Sequence, residues 1–474
     1  MQKKIATLMV GLALAGGLAH AASNEDATQR YFAGLLAGAE PKRAELTLFM
    51  TMMPKGGDLH HHYSGALYAE QYLEWVDKQN YCVDKASYQI VHHVPSGSCL
   101  SGAAVMLDNT TLTALLQRWS DKDFHNHGAL QSPPDRQFFD TFAYFNDVAA
   151  TNAHDGLARL KQRAIQENLG YIETIYQLSP MQPDDGFDQQ ARAGLSDAAM
   201  EAFMAKLDQD AGFKQGIASY IGDLKAASAG IDDAQFSMRY QGFVLRFLSP
   251  SLVFSSMVSS FEMAMQSPQI VGVNIVGQES VAVSMQDYAM QMRMFKFLKT
   301  KYPQVNLALH AGELALGTVP PEGLTFHIRD AIDVAGAKRI GHGIDIAHET
   351  GALAIMKEMR DKDIAVEINL TSNAFILGIE GQNHPVTLYR KYGVPFVIAT
   401  DDAGVSRNNL SEEYVLFASR YKPDYAEVKK LSYNSVKYSF LSKDDKQRML
   451  KSLDVKFATF EAEIAKSNVV TLKH

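Results

Sequence analysis

Between about residues 55 and 405, short apolar runs alternate with long amphipathic stretches whose apolar positions recur at helical spacing. The runs are GDLHHH (57–62), GYIETIYQ (170–177), SMRYQGFVLRFL (237–248), IVGVNIVG (270–277), VNLALHAGE (305–313), RIGHGI (339–344), IAVEINLTSN (364–373) and PFVIATDDAG (395–404). Several are rich in Val, Ile, Leu and Ala without clean alternation, as expected of strands covered on both faces in a parallel sheet. Strand-and-helix units in this succession predict an α/β fold, a (β/α)8 TIM-like barrel.

Two stretches exceed a minimal barrel. Residues 22–52 include TQRYFAGLLAG and KRAELTLFMTMM, which predict an N-terminal helical extension. The barrel is expected over 53–474, with residues 80–135 as an insertion after the first strand. Residues 1–21 pair two lysines with an apolar run from Ile5 to Leu18 and end in Ala19-His20-Ala21, the pattern of a signal peptide cleaved near Ala21-Ala22. The run is short for a bilayer span, so the expected mature chain is periplasmic or secreted, with no membrane span. In such a compartment the two cysteines, Cys82 and Cys99, are expected to form one disulfide, which in the chain-entropy view stabilises by roughly 3 kcal/mol.

The composition, 46% hydrophobic and 21% charged, is that of a globular protein. A formal charge of −8 and the lack of any long basic run exclude the electrostatic footprint of a nucleic-acid binder. Neither a phosphate-binding Gly-x-x-x-x-Gly-Lys-Ser/Thr loop nor a Gly-x-Ser-x-Gly elbow occurs.

In a parallel barrel the chemistry sits at the C-terminal ends of the strands, and the polar residues cluster there: His60-His61-His62, His310 and Glu313 in HAGE, His342 in GHG, and Asp401 and Asp402 in TDD. Strand alternation turns His60 and His62 to one face and His61 to the other. With His310 and Asp401 they form a His3Asp set suited to one zinc ion, which would bring the pKa of a bound water towards neutrality. Glu313 could then act as an acid, His342 could orient or deprotonate the water, and Asp402 could hydrogen-bond a substrate. Each motif alone has a plainer reading: core histidines for His-x-His, a helix N-cap for TDD. Together, burying Asp401, Asp402 and Glu313 without a cation would be costly. His92, His93, His125, His127, His327, His348 and His384 read as loop or helix residues, and the Met-rich stretches at 255–266 and 285–298 as adaptable core-facing helices.

The ordered motifs MPKGGDLHHHYSG, VGQE, HAGE, RIGHG, SN and TDD resemble the adenosine/AMP deaminase branch of the amidohydrolases, and the MPKGG lead with the cysteine-bearing insertion is most similar to the secreted adenosine deaminase-related growth factors. The resemblance implies one zinc per chain on His60, His62, His310 and Asp401. It implies Glu313 as proton donor to purine N1, His342 as water-orienting base, Asp402 as partner of N7 and the Gly277 amide as partner of N3. It implies hydrolysis of adenosine, and of 2′-deoxyadenosine, to the 6-oxo product and ammonia, and suggests a homodimer formed through residues 24–52 or the insertion. Ser64 stands where the family usually has an acidic residue for the ribose 5′-hydroxyl, which opens the alternatives of adenine or a 5′-modified adenosine as substrate. Two further readings remain at this level: a nucleoside-binding signalling protein whose insertion holds a partner, and a hydrolase of another C–N or ester bond.

Overall fold

The computed structural model describes residues 24–92, 97–124 and 132–471. The leader at 1–21 and His93, His125 and His127 lie outside the described residues.

Eight parallel strands form one sheet in sequential order: β1 (Lys55–His62), β2 (Leu169–Leu178), β3 (Ser237–Leu245), β4 (Ile270–Val276), β5 (Asn306–Ala311), β6 (Arg339–His342), β7 (Ala365–Ile368) and β8 (Phe396–Ile398). Each neighbouring pair is parallel, as the covered apolar runs require. Closure comes just past β8, where His61 and Asp401 pair in parallel. The Asp401 amide donates to the His60 carbonyl (2.9 Å) and the His62 amide to the Asp401 carbonyl (3.1 Å). The fold is a (β/α)8 barrel.

The covering helices start where side chains take up their free amides: Ser196, Asp210, Asn409 and Asp424 each accept from a backbone N–H of the first turn. The Met-rich helices Pro250–Gln266 and Ala282–Lys301 bury Met257, Met263, Met292 and Met294 in the core. Among the described residues no helix is long and apolar enough to cross a membrane.

β1 begins at Lys55, and Gly56 and Gly57 admit close neighbours: a side chain at 56 would strike the Ser432 carbonyl and one at 57 the Tyr171 ring. One local expectation changes: the Thr-Ser-Asn that ends the seventh run is not strand but lies in the first turn of the helix Leu370–Leu377, with the Leu370 and Thr371 amides held by the buried Glu413 carboxylate.

The connection from β1 to β2 holds a three-stranded antiparallel sheet of Tyr81–Asp84, Ile90–His92 and Cys99–Leu100, with Cys82 and Cys99 bonded across it at a Cα separation of 5.6 Å. Helical segments Pro134–Asp140 and Thr141–Tyr144 follow and reach over the barrel mouth. At the other end of the chain order, Phe32 and Phe49 of the N-terminal helices pack together, and Phe49 meets Tyr425 and Phe460 of the closing helices edge to face, so residues 24–52 are fastened to the barrel's last elements.

Candidate metal and catalytic centre

The end of β1 turns His60 and His62 into the barrel, while His61 faces away and bonds Thr174 Oγ1 at 2.9 Å. His310 enters from β5 and Asp401 from the residues closing the barrel. His60 Nε2 lies 3.4 Å and His62 Nε2 3.3 Å from Asp401 Oδ1, and the Nε2 atoms of His62 and His310 are 3.2 Å apart. Four ligands about 2.1 Å from a tetrahedral zinc would stand about 3.4 Å from one another. All four side chains are buried or nearly so, and His60 Nε2 has no hydrogen-bond partner.

The outer nitrogens explain why the inner ones face the centre. His60 Nδ1 meets Glu367 Oε2 at 2.6 Å, and His310 Nδ1 meets Asn274 Oδ1 at 2.9 Å. Both partners are acceptors, so each ring carries a proton on Nδ1 and leaves Nε2 facing the centre. Burial opposes charge on His60, yet Asp401 and Glu367 raise it to about 10. Burial likewise pushes Asp401 up, but the imidazoles of His60 and His62 hold it well below the carboxylate range. The centre therefore calls for positive charge, and its donor set fits a divalent ion that accepts nitrogen and oxygen.

Glu313, His342 and Asp402 adjoin this set. Glu313 Oε1 is 3.6 Å from His342 Nδ1, and His342 Nε2 is 3.9 Å from Asp401 Oδ2. Burial, with the charges of Asp401 and Glu279, raises Glu313 well above the usual carboxyl range; burial and Asp401 do the same to Asp402. Burial thus biases both carboxyls towards their protonated forms. His342 is lowered to about 3 by burial and stays neutral. His342 and Asp401 both have left-handed backbones (φ 63° and 60°), strain of roughly 1 to 3 kcal/mol each of the kind that collects at functional sites. Gly341 leaves room for the His60 ring and Gly65 for the Asp402 carboxylate.

His62, His310, Glu313, His342, Asp401 and Asp402 line a cavity of about 730 Å3. Ser64 and Gly277 line it too, and Phe138, Phe142, Tyr176 and Phe247 make much of its wall. No lysine or arginine lines it among the described residues. All the candidate site residues named from sequence thus gather in one place, except the cysteine pair, which lies in the insertion. Sequence reading missed the groups beneath: Asn274, Glu279 and Glu367, together with Arg339. The signal was present as polar letters inside apolar runs, GVNIVG and IAVEINL. Glu279 accepts from the Gly312 and Glu313 amides (3.2 and 2.9 Å), which fixes the turn that carries Glu313.

The family model described as "Adenosine deaminase" matches residues 186–456. An adenosine deaminase of Clostridium perfringens is 30% identical over 183 residues, 38% of this chain and 53% of that protein. Adenosine deaminase 2 of Sus scrofa is 28% identical over 223 residues, 46% of this chain and 42% of its own. The chain thus spans about half the length of the curated relatives it matches. The N6-methyl-AMP deaminase of Arabidopsis thaliana superposes with a TM-score of 0.54 at 19% identity, over 86% of this chain and 98% of that one.

Proposed function

Since the chain belongs to the adenosine deaminase family, we propose that it hydrolyses adenosine, and 2′-deoxyadenosine, to inosine-type products and ammonia. The observation that carries this reading is the pairing of a His3Asp cluster with two buried carboxyls, Glu313 and Asp402, whose burial beside it favours their protonated forms.

His60, His62, His310 and Asp401 would hold one zinc ion per chain. Such an ion lowers the pKa of water and so supplies a nucleophile at neutral pH. Glu313 donates its proton to N1 as the water oxygen bonds to C6. One proton of the water replaces the one Glu313 gave up, and the other leaves with the exocyclic amine when the tetrahedral carbon collapses. Protonated Asp402 donates to N7, an atom that can only accept, and the Gly277 amide donates to N3. His342 orients the water. The aromatic wall suits the faces of a purine.

A cavity without lysine or arginine favours a nucleoside over AMP, whose phosphate would have no charged partner. Ser64, a hydroxyl where a carboxylate is usual, favours tolerance at the 5′ position. The signal-like N-terminus and the cysteine pair support export to the periplasm or beyond.

The test follows loss of the 6-amino chromophore with adenosine, 2′-deoxyadenosine, 5′-deoxyadenosine, adenine and AMP. Adenosine is turned over and AMP is not, and Glu313→Gln lowers kcat by about 10²-fold or more, since it loses the acid. A zinc-loaded chain that releases no ammonia from any 6-aminopurine refutes the reading.

A further inference from the structure

Behind His342, on the side away from the metal ligands, stands a second buried histidine that the deamination chemistry does not use. His384 follows the short turn Gly381–Asn383 and is fully buried. Its Nδ1 receives the backbone N–H of Val386 at 3.1 Å, and its Nε2 lies 3.1 Å from Asn373 Oδ1. Asn373 Nδ2 lies 2.9 Å from His342 Nδ1, and Asn369 Nδ2 lies 3.3 Å from the same atom.

The direction of this chain of bonds follows from its first member. A main-chain N–H can only donate, so His384 Nδ1 is an acceptor. Burial lowers His384 to about 3, and the neutral ring then carries its one proton on Nε2. That proton is donated to Asn373, whose facing atom must be the carbonyl oxygen. The amide of Asn373 is thereby turned so that its N–H points at His342 Nδ1. With Nδ1 accepting, the neutral His342 ring holds its proton on Nε2, the atom 3.9 Å from Asp401 Oδ2 and without a hydrogen-bond partner among the described residues. Turning the Asn373 amide over would set its N–H against the Nε2–H of His384, and turning both would set His384 Nδ1–H against the Val386 amide.

We propose that Asn373 and His384 are positioning residues that hold His342 in the Nε2–H tautomer. On the deaminase reading, with which this consequence stands or falls, His342 meets the attacking water as a hydrogen-bond donor and not as a base. It has no free lone pair on the side of the reaction.

Ring-15N histidine incorporated into the full zinc-loaded chain tests this, with His342 assigned by the resonances lost in His342→Gln. The wild type is expected to show a pyridine-type Nδ1 and a pyrrole-type Nε2 at His342. Asn373→Asp, which offers an acceptor in place of the donated N–H, moves a proton to Nδ1 and lowers kcat by about 10²-fold or more, as a wrong tautomer does in other histidine-dependent hydrolases. His384→Phe, which frees the Asn373 amide to turn, shifts the same two signals. His384→Gln, whose amide can donate in place of Nε2–H, moves them back towards wild type. A protonated Nδ1 in the wild type overturns the proposal, as do unchanged His342 shifts in both Asn373→Asp and His384→Phe. The shifts are read without turnover, so a chain that deaminates no 6-aminopurine refutes the deaminase reading while the tautomer assignment is still decided by the spectra.

Discussion

At the level of single residues, the environment of a group decides its role more than its identity does. Three adjacent histidines share a strand end, yet two face the candidate metal centre and the third bonds Thr174 on the outer side. Ser64 lines the cavity with a hydroxyl, and Ser64→Asp is expected to raise kcat/KM for adenosine relative to 5′-deoxyadenosine by about 10-fold, the worth of one charge-assisted hydrogen bond. Parallel assays of the two nucleosides check it. Away from the site, burial pushes Glu349 up to about 7, although its Oε1 accepts from the Ile328 and Arg329 amides. From about pH 4.5 to 7 the folded chain holds a proton there that the unfolded chain has released, so this group's contribution to stability falls as pH rises through that window. Glu349→Gln keeps the acceptor and abolishes the dependence. It should match wild type near pH 4.5 and exceed it by about 1 kcal/mol at pH 8, as read from chemical denaturation at both pH values.

The strands carry more than their ends. Inside the barrel, below the metal ligands, each strand from β2 to β7 except β5 contributes one polar side chain to a buried chain of contacts. From His310 it runs through Asn274 (2.9 Å), Gln241 (3.1 Å) and Glu173 (2.9 Å). Glu173 then pairs with Arg339, which meets Glu367 at 2.5 Å, and Glu367 returns to His60 at 2.6 Å. Two candidate metal ligands on different strands, His60 and His310, are thus held by one network, with both outer nitrogens donating into it. Glu367→Gln retains an acceptor but removes the charge that supports His60, and metal affinity should fall by about 10- to 100-fold. Competition with a chromophoric chelator measures it. Apolar runs of eight or so residues were readable as strands, whereas this layer was not, because a lone Asn or Glu within such a run acquires a partner only when strands far apart in sequence become neighbours.

On the scale of the whole molecule, the candidate metal centre and barrel closure are one feature. Asp401 offers its carboxylate to the ligand set and its backbone to β1, so the first and last strands meet where His60 and His62 do. Removing the ion leaves buried charge at the seam and should lower Tm by at least about 5 °C, recovered by adding zinc, because a tightly held ligand stabilises only the folded chain. Differential scanning calorimetry with and without chelator checks this; an unchanged Tm would mean the four side chains hold no ion. The insertion also belongs to this scale, since Phe138, Phe139 and Phe142, just beyond its expected end at 135, form part of the cavity wall.

The sequence by itself determined the barrel and which residues gather in the candidate site. Local apolar patterning specifies covered strands and amphipathic helices, and chemistry in such a barrel is confined to strand ends, where His60, His62, His310, Glu313, His342, Asp401 and Asp402 were legible as letters. Only the tertiary structure decided which atoms those letters present. The tautomers of His60, His310 and His342 depend on Glu367, Asn274, and Asn373 with His384, and the proton on Glu313 depends on burial beside Asp401 and Glu279. Such assignments follow from hydrogen-bond direction and desolvation between residues up to hundreds of positions apart, which no local pattern encodes.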